Sequence, residues 1–362
     1  MTARTRDQTT RARTALRPDV VRFGRASFIV NRRVAACAGV LSIVAALLFA
    51  IRVGTSEFPM TPVAVARILL GGGTRIENVV VFENQLPVAL VCVLVGFALG
   101  MSGALTQTVA RNPLATPDLL GITSGAGAAA VLMITAGSTL PTWASAVGVP
   151  AAALIGGLAT AVGMYALAWR KGLDPVRLVL VGVALTAGLQ AFIAFMLTRG
   201  AIDDVRRAQT WIVGSVSGVG WDAVWPLTAV LIPATAMMAI VSSKLAALSL
   251  GEDIGRGLGL RVGRDAGVIL FVAVVVTAVA VSAAGPIAFV ALLAPQIAMR
   301  LSRTSIPGPV TSGMVGASLV AGGDVLCQTV LPAGLPVGVV TAGLGGPVLI
   351  ALMIQINRRA SA

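Results

Sequence analysis

Long apolar runs, broken at intervals by short clusters of Gly, Pro and charged residues, occupy almost the whole chain. Runs of roughly 18 or more such residues can cross a hydrocarbon core about 30 Å thick as helices. Ten-residue stretches of alternating character, the mark of a membrane β-barrel, are absent, so helices must satisfy the backbone in lipid. Reading the runs between their punctuation predicts about ten transmembrane helices, near 34–52, 86–107, 118–138, 143–168, 176–199, 225–244, 266–284, 286–300, 310–331 and 337–356. The eighth is short and follows a sharp turn at Gly285-Pro286. Two intervening segments, 53–85 and 200–224, are expected to fold against the membrane surface. The first holds a helix-like stretch from Pro62 to Leu70, and the second offers Trp211 and Trp221 either as interfacial anchors or as a docking surface for an extracytoplasmic partner. The fold class is therefore all-α and membrane-embedded, with a basic tail over 1–33 and one membrane domain over 34–358.

Composition strengthens this reading. The chain is 57% hydrophobic and 11% charged, against about 25% charged residues in a soluble domain, so it could not cover its own surface in water. The net charge of +13 is a topology signal. With both termini cytoplasmic, 21 of the 27 basic residues fall on that side, which fits an even number of spans and the positive-inside rule. The arginine-rich tail also suits contact with anionic membrane lipid. It lacks the aromatic interleaving or fold signature of a nucleic-acid partner. No small-residue cleavage site follows the first run, so that run is expected to remain as a helix. Cys37, Cys92 and Cys327 fall inside apolar spans and read as small hydrophobes, and the absence of histidine removes the commonest metal ligand and general base. No metal site is expected.

Small-residue pairs such as Gly96/Gly100 and Gly121/Gly125 let helix backbones approach closely in lipid. No phosphate loop of the G-x-x-x-x-G-K-[ST] kind is present, so the chain is not expected to hydrolyse ATP, and no nucleophile–base pair marks it as an enzyme. Between the sixth and seventh spans, Leu250, Ile254 and Leu258 recur on one helical face. That segment reads either as a loop helix lying on the bilayer or as a helix that plugs into another protein. Asp324 is the one acid deep in a late span, a functional candidate by default, with a structural role near the outer end of its helix preferred. Asn112 and Asp118 are expected to turn the chain and cap the third span. Thr186, Gln190 and Thr198 on the fifth span either face a pathway or make interhelical hydrogen bonds.

Several long motifs occur in a fixed order: Val95-Gly96-Phe97-Ala98-Leu99-Gly100-Met101-Ser102-Gly103-Ala104, Arg111-Asn112-Pro113-Leu114-Ala115-Thr116-Pro117-Asp118, Gly285-Pro286-Ile287-Ala288-Phe289, and Leu335-Pro336-Val337-Gly338. Over about 83–358 the chain resembles the permease family of ABC importers for ferric siderophores, haem and cobalamin. Pro117-Asp118 and Pro295-Gln296 look most like its ferric-siderophore branch. The resemblance implies a ten-helix subunit of the bacterial inner membrane in which helices 2–5 and 7–10 form an inverted repeat. It implies a coupling segment over 246–262, where Leu250, Gly251, Glu252, Asp253, Ile254, Arg256, Gly257 and Leu258 meet a cytoplasmic ATPase dimer. Arg111, Asn112, Pro113 and Asp118 would form a cytoplasmic turn. ATP and Mg would sit on the ATPase, no cofactor on this chain, and iron would pass as its siderophore complex from an extracytoplasmic binding protein.

The departures from the family matter too. Gln85-Leu86-Pro87-Val88 stands where relatives commonly read Arg-Leu-Pro-Arg, and Gln328 stands where some carry a third arginine that docks the binding protein. Gln85, Val88 and Gln328 are thus degenerate docking positions. A second, arginine-bearing permease subunit in a heterodimer would make good the loss, or Arg52, Arg75, Arg206 or Arg207 would. A proton-coupled secondary transporter using Asp324 and a transport-inactive partner subunit are the competing readings.

Overall fold

A computed structural model describes residues 19–23, 26–30, 32–55, 62–137, 141, 147–168, 175–332 and 334–360. Helices form where the apolar runs fall. In chain order they are α1 (Arg32–Gly54), α2 (Pro62–Leu69), α3 (Arg75–Val79), a π-helical turn (Val80–Gln85), α4 (Leu86–Ala110), a 3₁₀ turn (Pro117–Leu120), α5 (Ile122–Ala136), α6 (Gly148–Ala168) and α7 (Pro175–Arg199). Then follow α8 (Ile202–Val213), α9 (Trp221–Ser249), α10 (Glu252–Gly257), α11 (Val262–Ala284), α12 (Val290–Ser302), α13 (Pro309–Thr329) and α14 (Val337–Ala360). Among the described residues, seven helices are long and apolar enough to span a membrane, and α5, α12 and α14 contribute three shorter apolar stretches. These ten match the ten predicted runs, and α2 falls on the predicted surface helix.

The boundaries differ by several residues in places: the sixth span runs from Trp221 to Ser249 rather than 225–244, and the eighth begins at Val290 rather than 286. The third span begins at Ile122 rather than 118, because Pro117 starts a 3₁₀ turn and Gly121, at φ 69°, breaks the helical register. Residues 143–146, the start of the predicted fourth span, lie outside the described residues, and α6 begins at Gly148. Within the basic tail, β1 (Asp19–Phe23) and β2 (Ala26–Val30) pair antiparallel, with Asp19 opposite Val30 and Phe23 opposite Ala26. Val20, Val21, Phe23, Phe28, Ile29 and Val30 supply the β-branched and aromatic residues that favour strands. This hairpin is a departure from an all-helical chain. Residues 1–18 lie outside the described residues.

The bundle is organised around α4, against which α9, α11, α12 and α13 all lie. A helix apolar on every side belongs in an interior, and the buried positions of α4 run almost unbroken from Val95 to Thr108. Glycine decides how near its neighbours come. A Cβ at Gly96 would strike the Gly316 carbonyl of α13, one at Gly100 the Ser312 carbonyl, and one at Gly103 the Ala291 carbonyl of α12. The α5–α6 crossing repeats the device with Gly125 and Gly156.

The neighbour pattern has a symmetry. Exchanging α4–α7 for α11–α14 turns the α4–α13 contact into the α11–α6 contact, and both are present. The helices that follow α4 and α11 both start from a left-handed residue, Gly121 at φ 69° and Phe289 at φ 65°. Helix α4 runs toward α10, since the Arg111 guanidinium lies beside Gly251, whereas α11 leads away from it. That is the arrangement an inverted repeat requires.

Replacing Gly100 by Val should be severe, because the obstacle is backbone rather than a side chain that can yield. A cost of about 3 kcal/mol or more is expected, read as a fall in melting temperature and folded yield in detergent. Gly163→Ala on α6, with open space around it, should leave both unchanged.

Candidate functional site

At one end of the bundle α9, α10 and α11 form a short helical detour. Gly251 at φ 107° and Gly259 at φ 86° supply backbone conformations that side-chain-bearing residues avoid. Glu252 and Asp253 occupy the first turn of α10 and Arg256 its last, each favourable to the helix dipole. Arg256 also donates to Glu252 at 2.9 Å across one turn. Leu250, Ile254 and Leu258 are more than half exposed, while Gly255 is buried beside Val262. The row seen in the sequence is therefore an uncovered apolar ridge, and Arg111 lies against its starting glycine.

The 111–118 turn meets this ridge but does not cap the third span as expected. Asn112 accepts the Leu114 N–H at 2.9 Å and so shapes the turn. No side chain caps α5; its preceding residue is Gly121, and Asp118 instead accepts the Thr123 hydroxyl. Behind the turn sits a contact that sequence reasoning missed. The Gln296 amide donates to Gln107 Oε1 at 2.7 Å and more weakly to the Pro113 carbonyl at 3.4 Å, while Gln107 donates to the Leu292 carbonyl at 3.1 Å. Both side chains are buried, so this amide pair ties α4, α12 and the turn together. The available signal was a lone amide late in an apolar run, since a buried polar group demands a partner.

The opposite end is held by a buried charge pair. Arg52 on α1 donates through Nε to Asp324 on α13, with the two side chains 7% and 3% exposed. Its Nη1 donates to Gln85 Oε1 at 2.6 Å and to the Thr55 carbonyl at 3.2 Å. Asp324 is thus a structural residue with its partner in place. Arg52 is removed from the set of compensating docking arginines, because burial and pairing leave it no free face. Gln85 is half-buried and engaged by Arg52, and Val88 is buried in the core, so neither forms a docking surface. Gln328, Arg75, Arg206 and Arg207 are exposed, with Arg207 paired to Asp204.

Nearby, Trp221 donates to the Phe82 carbonyl at 2.8 Å and stacks on Trp225, tying α9 to the π-helical turn. The end of α8 is strapped to α11 and α14 by Ser215 N–H to the Ala284 carbonyl at 2.8 Å and Gly338 N–H to the Gly214 carbonyl at 3.1 Å. Trp211 lies half-buried against Gly285. The three polar residues of α7 are not drawn together. Thr186 sits half-buried beside Gly121, Thr198 bonds back to the Phe195 carbonyl at 2.7 Å, and Gln190 lines an open cleft toward α8.

A bundle of spanning helices with an apolar ridge between two spans at one end has the form of a multi-pass membrane permease. Residues 42–355 match the FecCD transport family, and the chain belongs to that family. It is 37% identical over 293 residues to the ferric enterobactin transport system permease protein FepG of Escherichia coli, covering 80% of this chain and 87% of that one. It is 33% identical over 320 residues to the iron(3+)-hydroxamate import system permease protein FhuG of Bacillus subtilis, covering 86% and 94%. Among solved structures, an inward-facing metal-chelate type ABC transporter superposes with a TM-score of 0.74 at 20% identity, over 89% of this chain and 99% of that one. That likeness establishes the fold.

Removing one member of a buried ion pair strands the other. Asp324→Asn and Arg52→Met should each destabilise by about 3–5 kcal/mol, and the double variant Arg52→Met/Asp324→Leu should recover much of that loss. Thermal unfolding of the three purified variants checks both statements.

Proposed function

We propose that this chain is the membrane-spanning subunit of an ABC importer that carries ferric siderophore across the bacterial inner membrane. The observation that carries the mechanism is the ridge of Leu250, Ile254 and Leu258 standing uncovered between two spans. An apolar row on a short helix suits insertion into a groove of a partner, and the glycines on either side let it move as a unit. The partner is a cytoplasmic ATPase dimer that holds ATP and Mg; Glu252, Asp253 and Arg256 pass its closure to α9 and α11. The ridge end is then cytoplasmic, with both chain termini on that side. The functions of the relatives named above support siderophore as cargo, and the absence of histidine agrees with iron passing fully chelated.

A second permease subunit completes the pathway, and a heterodimer is the favoured arrangement. At the outer end, Val88 is buried and Gln328 uncharged, so this subunit offers an extracytoplasmic binding protein little at the usual arginine positions. A companion subunit bearing those arginines supplies them. Arg75 and Arg206, exposed at the outer end, are the remaining contributors from this chain. The proton-coupled alternative loses its main support, because the acid it needs is already committed to Arg52.

Tagged protein drawn from native membranes in mild detergent should bring down an ATPase and a second permease, identified by mass spectrometry. Ile254→Asp should cut recovery of the ATPase at least about tenfold, since a charge replaces an apolar anchor, while leaving the permease pair intact. Undiminished ATPase recovery with Ile254→Asp would refute the docking role of the ridge.

A further inference from the structure

Beside the ridge, but not part of it, a cleft of about 470 Å³ opens between α9 and α11. Its walls change character along their length. Met237 and Val241 on α9 face Val268 on α11 toward the middle of the bundle, and Lys244, Arg261 and Arg264 gather at the ridge end. Met237 and Lys244 are two turns apart, which places the basic group about 10 Å from the deepest apolar wall along the helix axis. The one acid in the cleft, Asp265, is occupied. Lys244 Nζ lies 2.8 Å from its Oδ1, and the Arg261 backbone N–H donates to its Oδ2 at 3.1 Å. Arg261 and Arg264 are both exposed and have no ion-pair partner among the described residues.

We infer that this cleft is a binding site for an anionic phospholipid. The bundle crosses a membrane, so the apolar half of the cleft lies at acyl-chain depth and the basic end at headgroup depth. An excess of cationic groups there is complementary to a phosphodiester, and basic pockets between spans at this level are suited to such headgroups. Arg261 and Arg264 supply planar guanidinium donors for phosphate oxygens, with Lys244 as a third charge screened in part by Asp265. The apolar wall holds the first part of one chain and excludes a soluble anion of the same charge from using the full site. Gly259 and Leu260, the link between α10 and α11, form part of the same cleft. A lipid seated there braces the base of the ridge. The site depends on the chain lying in a membrane as a permease, and not on which cargo or ATPase it serves.

The test uses the intact chain in mixed micelles with equal phosphatidylglycerol and phosphatidylcholine, followed by native mass spectrometry of retained lipid. Phosphatidylglycerol should be retained in preference, and Arg261→Gln/Arg264→Gln should reduce that retention roughly tenfold. Arg303→Gln, an exposed arginine at the same end but outside the cleft, should leave it unchanged. Equal retention of the two lipids by the natural chain, or equal loss in the Arg303 variant, would overturn the site. Displacement of phosphatidylglycerol by millimolar inorganic phosphate would likewise overturn it in favour of a soluble-anion site. If the double variant fails to fold, Arg264→Gln alone carries the same test against the Arg303 control, because the basic tail is common to every variant; the result is independent of ATPase capture.

Discussion

Lipid tails are as apolar as leucine, so helices in a bilayer gain little by hiding greasy side chains from one another. What holds them is close packing, and here closeness is set by glycine on α4. Gly96, Gly100 and Gly103 bring its backbone onto the carbonyls of α13 and α12, and the remaining helices take their places from that contact. The same crossing aligns Gln107 with Gln296 at one end. Toward the other end, the π-helical turn before α4 and helix α13 carry Gln85 and Asp324 to the guanidinium of Arg52. A core built this way is stiff, and a stiff core can transmit a push applied at one end.

The two ends are constructed for different tasks. The end that holds Arg52 and Asp324 is locked by charge, by the Trp221 bond to the π-helical turn and by the strap from α8. Burying such a pair contributes little net stability but makes the loss of either member costly, so it fixes the geometry of three segments. At the ridge end the helix α10 hangs between Gly251 and Gly259, with one exposed ion pair inside it and the Lys244–Asp265 pair joining α9 to α11 at its root. That contrast is what a device for receiving motion needs: a projecting helix on glycine joints, rooted in helices that pack rigidly beyond it.

Much of this was legible in the order of residues. The ten apolar runs, the surface helix near Pro62 and the shared face of Leu250, Ile254 and Leu258 follow from periodicity and punctuation alone. The inverted repeat came from resemblance to a family, and the neighbour relations of α4, α6, α11 and α13 agree with it. Contacts between distant positions were not legible. Arg52 and Asp324 are 272 residues apart, and nothing in the local sequence of Arg52 separates a buried partner from a free docking charge. Val88 stands at a docking position by resemblance, but on α4 it is buried core. The third span was begun too early because hydropathy does not register that Pro117 and Gly121 enclose a 3₁₀ turn. The hairpin at 19–30 was not legible because its apolar residues run in clusters, Val20-Val21 and Phe28-Ile29-Val30, rather than in the alternation that marks a strand.

The central claim is that motion delivered to α10 by ATP hydrolysis elsewhere drives cargo through this bundle. It is tested most directly by reconstituting the chain with its co-purifying partners in proteoliposomes and measuring uptake of radio-iron siderophore. Uptake should require ATP and Mg on the ridge side, persist when the proton gradient is collapsed, and vanish with Ile254→Asp. Uptake that ignores ATP but stops with loss of the proton gradient would contradict the account.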